Sequence, residues 1–144
     1  MPKKEIRFGD YIRDIRIHDK QELRQSDVAK ELNLSLTVYN DTENNYRVPL
    51  NDIQMEKFAE LFNLTDEQKA RMYDLASIET GKVPADIDEI FFDEAGKYVV
   101  QLLREHKAGN IDEEFWKKAI REAEAAKEKR ERGEIYDKNE NNEI

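Results

Sequence analysis

The sequence predicts an all-α protein, with five helices in residues 1–80 and a helical extension after them. Apolar residues recur at helical spacing, and the first such stripe is Phe8, Tyr11, Ile12 and Ile15, at i, i+3, i+4 and i+7. Capping residues stand where helices are expected to begin, as Thr65 does three residues before Gln68. Gly81 and Pro84 then interrupt the pattern and end the first set of helices.

The composition excludes several classes of protein. Charged residues make up 40% of the chain and hydrophobic ones 38%, which predicts a small core and a heavily ionised surface. No apolar run approaches the ~18 residues of a membrane span, and the N-terminus shows no signal peptide pattern. Cysteine is absent, which excludes disulfides and thiol chemistry. We therefore expect a cytoplasmic protein of one domain, or one domain with an extension, and no membrane partner.

The charge balance argues against a strong general attraction to nucleic acid. The formal net charge is −9, and the acidity is not confined to a tail. Residues 1–80 carry 12 Lys and Arg against 16 Asp and Glu, and residues 81–144 carry 12 against 17. Because neutralised phosphates supply most non-specific affinity, DNA binding is expected to be weak unless two subunits act together.

Two short helices joined by a tight turn are predicted from Gln25 to Asn45. In the first helix, Val28, Ala29 and Leu32 share one apolar face. The small side chain of Ala29 lets a second helix cross closely. Asn33 follows at the turn, because asparagine tolerates the left-handed conformation that ends many helices.

Ser35 offers an N-cap hydroxyl to the second helix, which is expected from Leu36 to about Asn44. Val38 and Tyr39 can face inward in this helix. The opposite, outer side then carries Leu36, Thr37, Asn40, Asp41 and Asn44. This is the layout of a helix-turn-helix, whose second helix can lie in a DNA major groove.

These residues resemble the helix-turn-helix regulators of the Cro/repressor type, also called the xenobiotic-response-element family. Gln25-Ser26-Asp27-Val28-Ala29 is similar to the family's Gln-Glu-Glu-Leu-Ala opening. The ten residues 35–44 are similar to its Ser-Pro-Ser-Tyr-Leu-Ser-Asp-Ile-Glu-Arg, and Arg47-Val48-Pro49 to the Arg-x-Pro that leads into the next helix. The resemblance covers about residues 6–78 and implies a five-helix, phage-repressor-like domain.

The resemblance also implies a function and a structural ion pair. It implies a transcriptional regulator that binds operator DNA, an inverted repeat, as a homodimer. Arg16 would pair with Glu43 near the end of the recognition helix; a solvated arginine on a charged helix is the alternative. The chain departs from the family at Thr42, where an aliphatic residue is usually buried, and at Arg24, where Ser or Thr commonly caps.

The outer face of the second helix carries the family's base contacts, which here implies Leu36, Thr37, Asn40 and Asp41. Thr37 and Asn40 can hydrogen-bond base edges, whereas Asp41 can only accept. Phosphate contacts, which position the protein without reading sequence, are expected from Gln25, Asn44 and Arg47. No Lys or Arg lies between Glu31 and Tyr46, so this face is poor in positive charge.

Two more helices are predicted to complete the first domain. Asn51 can cap the fourth helix after Pro49, and Thr65 can cap the fifth. The expected apolar face of the fourth helix is Ile53, Phe58, Leu61 and Phe62, with Met55 alongside. The expected apolar side of the fifth is Met72, Tyr73, Leu75 and Ala76.

Residues 81–121 are predicted to form a C-terminal helical extension available for dimerisation, and residues 122–144 a charged helix with a flexible tail. Short apolar stretches lie around residues 87–91, 98–103 and 115–120. Gly96 is expected to mark a helix break or a close contact, and Asp112 can cap the last helix. The Val-Pro-Ala-Asp-Ile stretch, followed by two helices and a Trp, resembles the extension of some family regulators in Gram-positive mobile elements.

No pattern of catalytic or metal-binding residues is present. His18 and His106 lack metal-ligand spacing, and no phosphate loop, nucleophile elbow or two-metal carboxylate motif occurs. We therefore predict no enzyme activity, no metal and no cofactor. Four aromatic residues could line a ligand pocket, but helical spacing favours core or dimer packing for them: Phe91, Phe92, Phe115 and Trp116.

Two functions from different classes remain open at this point. The first is an operator-binding transcriptional regulator that acts as a homodimer. The second is a degenerate helix-turn-helix that binds another protein, in the manner of an antitoxin or of a regulator's inhibitor. A basic rim around the recognition helix would favour the first, and a uniformly acidic recognition face the second.

Overall fold

The computed structural model describes residues 5–133, which form eight α-helices and no strand. The prediction of an all-α protein is confirmed. The helices are α1 (Phe8–His18), α2 (Gln25–Glu31), α3 (Leu36–Glu43), α4 (Asp52–Leu61), α5 (Asp66–Thr80), α6 (Asp88–Phe91), α7 (Glu94–Lys107) and α8 (Glu113–Glu131). The tail predicted to be flexible lies outside the described residues from position 134 onward.

The described part of the chain divides after Glu94 into two compact units, which we call unit 1 (residues 5–94) and unit 2 (residues 95–133). Helix α5 ends at Thr80, but residues 81–94 belong to unit 1, and Ala85 packs against its core. Helix α8 continues past residue 121 to Glu131. The functional divisions predicted after residues 80 and 121 stay predictions.

The core of unit 1 consists of apolar side chains from α1 to α5 and the connections between them. Its members are Phe8, Ile12, Val28, Ala29, Leu32, Tyr39, Leu50, Met55, Phe58, Ala59, Phe62, Leu64, Met72, Tyr73, Leu75 and Ala76. The stripe predicted for α1 is confirmed, since Tyr11 and Ile15 pack against this core beside Phe8 and Ile12. One core therefore joins all five helices.

The predicted apolar face of α4 is wrong at Ile53, whose side chain is 66% exposed. The buried stripe of α4 and its C-cap is Met55, Phe58, Ala59 and Phe62, at i, i+3, i+4 and i+7. A helix turns about 100° per residue, so Ile53 lies roughly 200° from Met55, on the other side of the helix. The spacing of Met55, Phe58, Ala59 and Phe62 is visible in the sequence, so the prediction is wrong only in which face of the helix is buried.

The predicted helix starts are confirmed at three side-chain caps. The Ser35 hydroxyl accepts from the Val38 N–H at 3.1 Å, and Asn51 and Thr65 each form a capping box, with Gln54 and Gln68. Asp112 likewise accepts from the first turn of α8. Gly96 lies inside α7, so no helix break occurs there.

Helix α2 begins without a Ser or Thr cap, as its sequence implies. The Arg24 N–H instead donates to the Asp27 carboxylate at 2.9 Å. This backbone hydrogen bond lowers the pKa of Asp27, since it stabilises the ionised form. Placing the carboxylate in the first turn also suits the positive end of the helix. Helix α2 therefore begins at Gln25, as expected from the sequence, although the N-cap position is occupied by Arg24 and not by Ser or Thr.

Candidate nucleic-acid interface

Helices α2 and α3 are joined by a turn of four residues and pack closely on each other. Asn33 adopts the left-handed conformation, with φ 58°, and the Leu34 N–H donates to the Ala29 carbonyl at 2.8 Å. The buried residues of α3 are Tyr39, Thr42 and Glu43, so Val38 is only partly inward. The other side of α3 is therefore free to contact a ligand.

The seven predicted contact residues lie on α3 or immediately next to it. Leu36 is 51% exposed, and Thr37, Asn44 and Arg47 are exposed as well. Gln25, Asn40 and Asp41 are half-buried. Within residues 5–133 the Thr37 hydroxyl makes no hydrogen bond, so it can bind a partner without first breaking a contact.

The ion pair between Arg16 and Glu43 is present and has two hydrogen bonds. Arg16 Nε donates to Glu43 Oε2 at 2.7 Å, and a terminal guanidinium nitrogen donates to Oε1 at 2.9 Å. The Glu43 side chain is 0% exposed and that of Arg16 13%. Burial alone would raise the pKa of Glu43, but the hydrogen bonds from Arg16 and Gln25 outweigh it and lower the pKa.

A chain of side-chain hydrogen bonds leads from this buried pair to the outer face of α3. Gln25 Nε2 donates to Glu43 Oε1 at 2.9 Å, and Gln25 Oε1 accepts from Asn40 Nδ2 at 2.9 Å. Asn40 Oδ1 in turn accepts from Asn44 Nδ2 at 3.1 Å. Gln25 and Asn40 therefore hold α3 in place, a role that sequence reasoning did not assign to them.

This network changes what Asn40 can do at a DNA base. A bidentate contact to adenine needs both ends of the amide, and both ends are engaged by Gln25 and Asn44. Asn40 would have to release these partners in order to read a base. Thr37, whose hydroxyl has no partner in the described chain, is the better placed of the two.

Asp41 and Arg47 face each other, with a carboxylate oxygen 3.8 Å from Arg47 Nε. Exposed pairs at this distance contribute little, roughly 0–1 kcal/mol. Arg47 is therefore free to turn toward a phosphate. Tyr46, beside it, is an exposed aromatic residue that sequence reasoning missed. Its phenol hydroxyl could also donate to a phosphate oxygen.

Thr42 departs from the family pattern without leaving an unsatisfied group. It is buried, and its hydroxyl donates to the Val38 carbonyl at 2.9 Å.

Tyr39 is fully buried, and its hydroxyl finds no hydrogen bond of good geometry in the described structure. Burial raises the pKa of Tyr39, and the nearby Glu43 carboxylate raises it further, so the phenol stays neutral.

Gly9 and Asn45 form a second link to α3, which sequence reasoning also missed. The Gly9 N–H donates to Asn45 Oδ1 at 2.8 Å, and Asn45 Nδ2 donates to Asp10 Oδ1 at 3.0 Å. A Cβ on Gly9 would overlap the backbone carbonyls of Thr42 and Glu43. A glycine in the first turn of an amphipathic helix was the available signal.

The four aromatic residues considered for a ligand pocket form two contacting pairs. Phe91 contacts Phe92 edge to face, Phe115 contacts Trp116 in the same way, and none of the four is buried.

Residues 5–133 contain no cluster of acidic residues and histidines that could hold a metal ion. Across the same residues, no helix combines the length and apolarity that a membrane crossing requires.

Comparisons with protein-family models, with curated proteins and with solved structures found no match to this chain.

Proposed function

We propose that this protein is a Cro/repressor-type transcriptional regulator in which α2 and α3 form a helix-turn-helix and α3 enters the DNA major groove. The observation that carries the proposal is the position of α3. Its inner side is tied to α1 and α2 by the Arg16–Glu43–Gln25–Asn40 network, while Leu36 and Thr37 at its start stay exposed. Recognition helices of this class contact base edges with their N-terminal residues.

In this proposal the DNA contacts divide by chemistry. Thr37 donates or accepts at a base edge and Leu36 packs on a thymine methyl. Arg47 neutralises a phosphate, and Gln25 and Asn44 contact the DNA backbone with the amide hydrogens that the network does not use. Asp41 accepts from a cytosine amino group, at the cost of repulsion from nearby phosphates. Because so few cations are present, two copies acting on an inverted repeat would supply the affinity.

A second copy is also supported by unit 2. No large apolar side chain in residues 95–133 is buried. Helix α7 exposes Tyr98, Val99 and Leu103, and α8 exposes Phe115 and Ile120. Isolated helices without a shared core are marginal in water, so these faces need a cover. In the proposal that cover is unit 2 of another copy.

Selective DNA binding is tested by two substitutions with different expected signatures. Thr37→Ala should cost roughly 1–3 kcal/mol on the preferred site and relax the preference at one base position. Arg47→Ala should weaken binding to all sequences alike and lower the salt slope by about one unit. The measurement is fluorescence anisotropy at two salt concentrations, on a duplex selected from a random pool and on its scrambled counterpart.

Arg71→Ala is the matched control for Arg47→Ala, because Arg71 is an exposed arginine on α5, outside the proposed interface. Asn40→Ala is a poor substitute for Thr37→Ala, since it would also break the network that positions α3. If selection enriches no sequence and Arg47→Ala changes nothing, the DNA-binding proposal is lost.

Dimerisation through unit 2 is tested by Leu103→Glu. Sedimentation of the full chain should show a dimer at micromolar concentration, and Leu103→Glu should shift it to monomer by placing a charge in an apolar interface. Gln101→Glu adds the same charge at an exposed polar position of α7 and should leave the dimer intact. A full chain that stays monomeric at high concentration contradicts the proposal.

A helix-turn-helix that binds another protein, in the manner of an antitoxin, is the second candidate. One observation favours it: the exposed face of α3 carries Asp41 and no Lys or Arg. Such a face would suit a partner that donates hydrogen bonds. Under this alternative Thr37→Ala and Arg47→Ala leave DNA affinity at its weak, sequence-independent level.

A further inference from the structure

A groove runs across unit 1 between α4, the C-terminal part of α5 and the chain that follows α5. It consists of two adjoining cavities, of about 950 Å³ and about 620 Å³. Four residues line both: Asp52, Tyr73, Ala85 and Asp88. We call it the α4–α5 groove. All its lining residues fall between positions 48 and 92, so it uses none of the residues of α2 and α3.

The larger cavity is mainly apolar. Leu50, Met55 and Ala76 from the core form its floor. Val48 and Phe92 stand at its rim and are 79% and 75% exposed. Side chains this large and this exposed beside an apolar floor are typical of an interaction surface. The larger cavity therefore suits apolar side chains of a partner.

The smaller cavity is strongly acidic. Six carboxylates line it, Asp52, Glu56, Glu60, Asp86, Asp88 and Glu89, and Lys69 is the one cation among its lining residues. None of the six forms an ion pair with another residue of the described chain. Such a concentration of negative charge attracts cations and repels phosphates.

Tyr73 lies where the two cavities meet and lines both of them. Tyr73 as a residue is 9% exposed, and its hydroxyl has no hydrogen-bond partner among residues 5–133. Burial raises the pKa of Tyr73, and the carboxylates of Glu56 and Asp86 raise it further. The phenol is therefore a neutral group at the groove, and its hydroxyl can donate to a bound partner without breaking a hydrogen bond within the described chain.

We propose that the α4–α5 groove binds a basic, amphipathic segment of a partner protein. Apolar side chains of that segment fill the space between Val48 and Phe92, and its Lys or Arg side chains lie over the carboxylates beside Glu56 and Asp86. The Tyr73 hydroxyl donates to a carbonyl of the segment. Docking of one amphipathic helix into a groove is a common mode of peptide recognition. The binding goes beyond the proposed DNA contacts and uses another surface.

Charge complementarity is what selects this occupant. A nucleic acid would bring phosphates against six carboxylates. An entirely apolar segment would leave those carboxylates facing apolar groups, at a desolvation cost without compensation. Only a segment that combines cationic and apolar side chains satisfies both cavities.

The test is a titration of the isotope-labelled full chain, followed by NMR, with a synthetic helical peptide that carries leucine on one face and lysine beside it. Amide shifts should centre on Leu50, Met55, Ala76 and Val83. Glu56→Lys with Asp86→Lys should weaken binding by about tenfold or more and reduce its salt dependence. Tyr73→Phe should weaken binding about threefold while leaving stability unchanged, since the hydroxyl has no partner among residues 5–133.

Two controls separate the groove from general acidity. Glu122→Lys with Glu124→Lys makes the same charge change on exposed positions of α8 and should leave the affinity unaltered. A peptide with serine in place of leucine keeps the charge and should bind about tenfold more weakly. Equal losses in both charge-reversed variants, or equal binding of the serine peptide, would overturn the proposal.

Sedimentation of the same variants tests whether the groove binds a second copy of this chain instead of a partner protein. If Glu56→Lys with Asp86→Lys dissociates a dimer of the full chain, the groove binds this chain itself and the partner proposal is overturned. DNA affinity of the groove variants should be unchanged or slightly raised. Loss of the groove proposal therefore leaves the DNA-binding proposal standing, and the reverse also holds.

Discussion

Replacing Arg16 by Met should lower the free energy of unfolding by about 3–5 kcal/mol, because it leaves the Glu43 carboxylate buried and without its cation. The Glu43 side chain is 0% exposed, so water cannot take the place of the lost guanidinium. Gln25 would remain as a hydrogen-bond donor to Glu43 but carries no charge. Urea unfolding of the variant and of the natural chain measures the difference.

A double-mutant cycle with Glu43→Gln isolates the pair. The double variant should be clearly more stable than the sum of the two single losses indicates, since neither partner is then left as an unpaired buried charge. Arg7 and Glu79 provide a control, with a 2.8 Å ion pair in which the arginine side chain is 51% exposed and that of the glutamate 16%. Because water reaches the Arg7 guanidinium, their cycle should give a clearly smaller coupling than that of Arg16 and Glu43. Additive losses at Arg16 and Glu43 would refute the coupling.

The same pair implies a pH dependence of stability. The pKa of Glu43 is lowered in the folded state, from an ordinary value of 4.5. The stabilisation that ionised Glu43 contributes to folding is therefore fully present above pH 4.5. It is lost as the pH falls through the lower pKa of Glu43 in the folded state. The stability difference between the natural chain and Glu43→Gln should accordingly shrink in acid. A difference that stays constant down to strongly acidic pH contradicts this account.

Replacing Gly9 by Ala should lower the free energy of unfolding by about 1–3 kcal/mol, as overpacking does in a tightly packed contact. In an ordinary helix the same change stabilises, by roughly 0.5–1 kcal/mol, so the sign itself is diagnostic. The new Cβ would lie 2.7 Å from the Glu43 carbonyl oxygen and still closer to that of Thr42. Both are backbone atoms at the end of α3, which cannot move without shifting that helix.

Asn45→Gly separates the backbone contacts from the side-chain contact of Gly9. Asn45 has φ 63°, so glycine keeps the backbone conformation while removing the amide that approaches Gly9. Gly9→Ala should remain destabilising in the Asn45→Gly background, because the two carbonyls are still present. Full recovery there would show that only a flexible side chain had been in the way. A stabilising Gly9→Ala would contradict the close approach altogether.

The sequence predicted most of the helices because their signals are local. The spacing of Phe8, Ile12 and Ile15 reports one helix face, and Ser35, Asn51 and Thr65 report helix starts through hydrogen bonds spanning three residues. The prediction is wrong at Ile53 because α4 has apolar residues on more than one side. In so short a helix, their spacing alone does not show which side is buried.

The candidate site was predictable only in part. Resemblance to a family pointed to Arg16 and Glu43, which are 27 positions apart and indeed pair. No local pattern relates Gln25 to Asn40 or Gly9 to Asn45, since these contacts exist only once α1, α2 and α3 are packed together. Asn40, interpreted from sequence as a base-reading residue, is thus engaged in holding its own helix.

The sequence by itself determined the helical class of this protein, the starts of its main helices and the lack of positive charge on α3, because composition, periodicity and capping act within a few residues. Tertiary structure alone decided which polar side chains stay free, where Gly9 is required and how residues 48–92 form a groove with one apolar and one acidic half. Those properties depend on distances between segments far apart in the chain, which only the packing of the core sets.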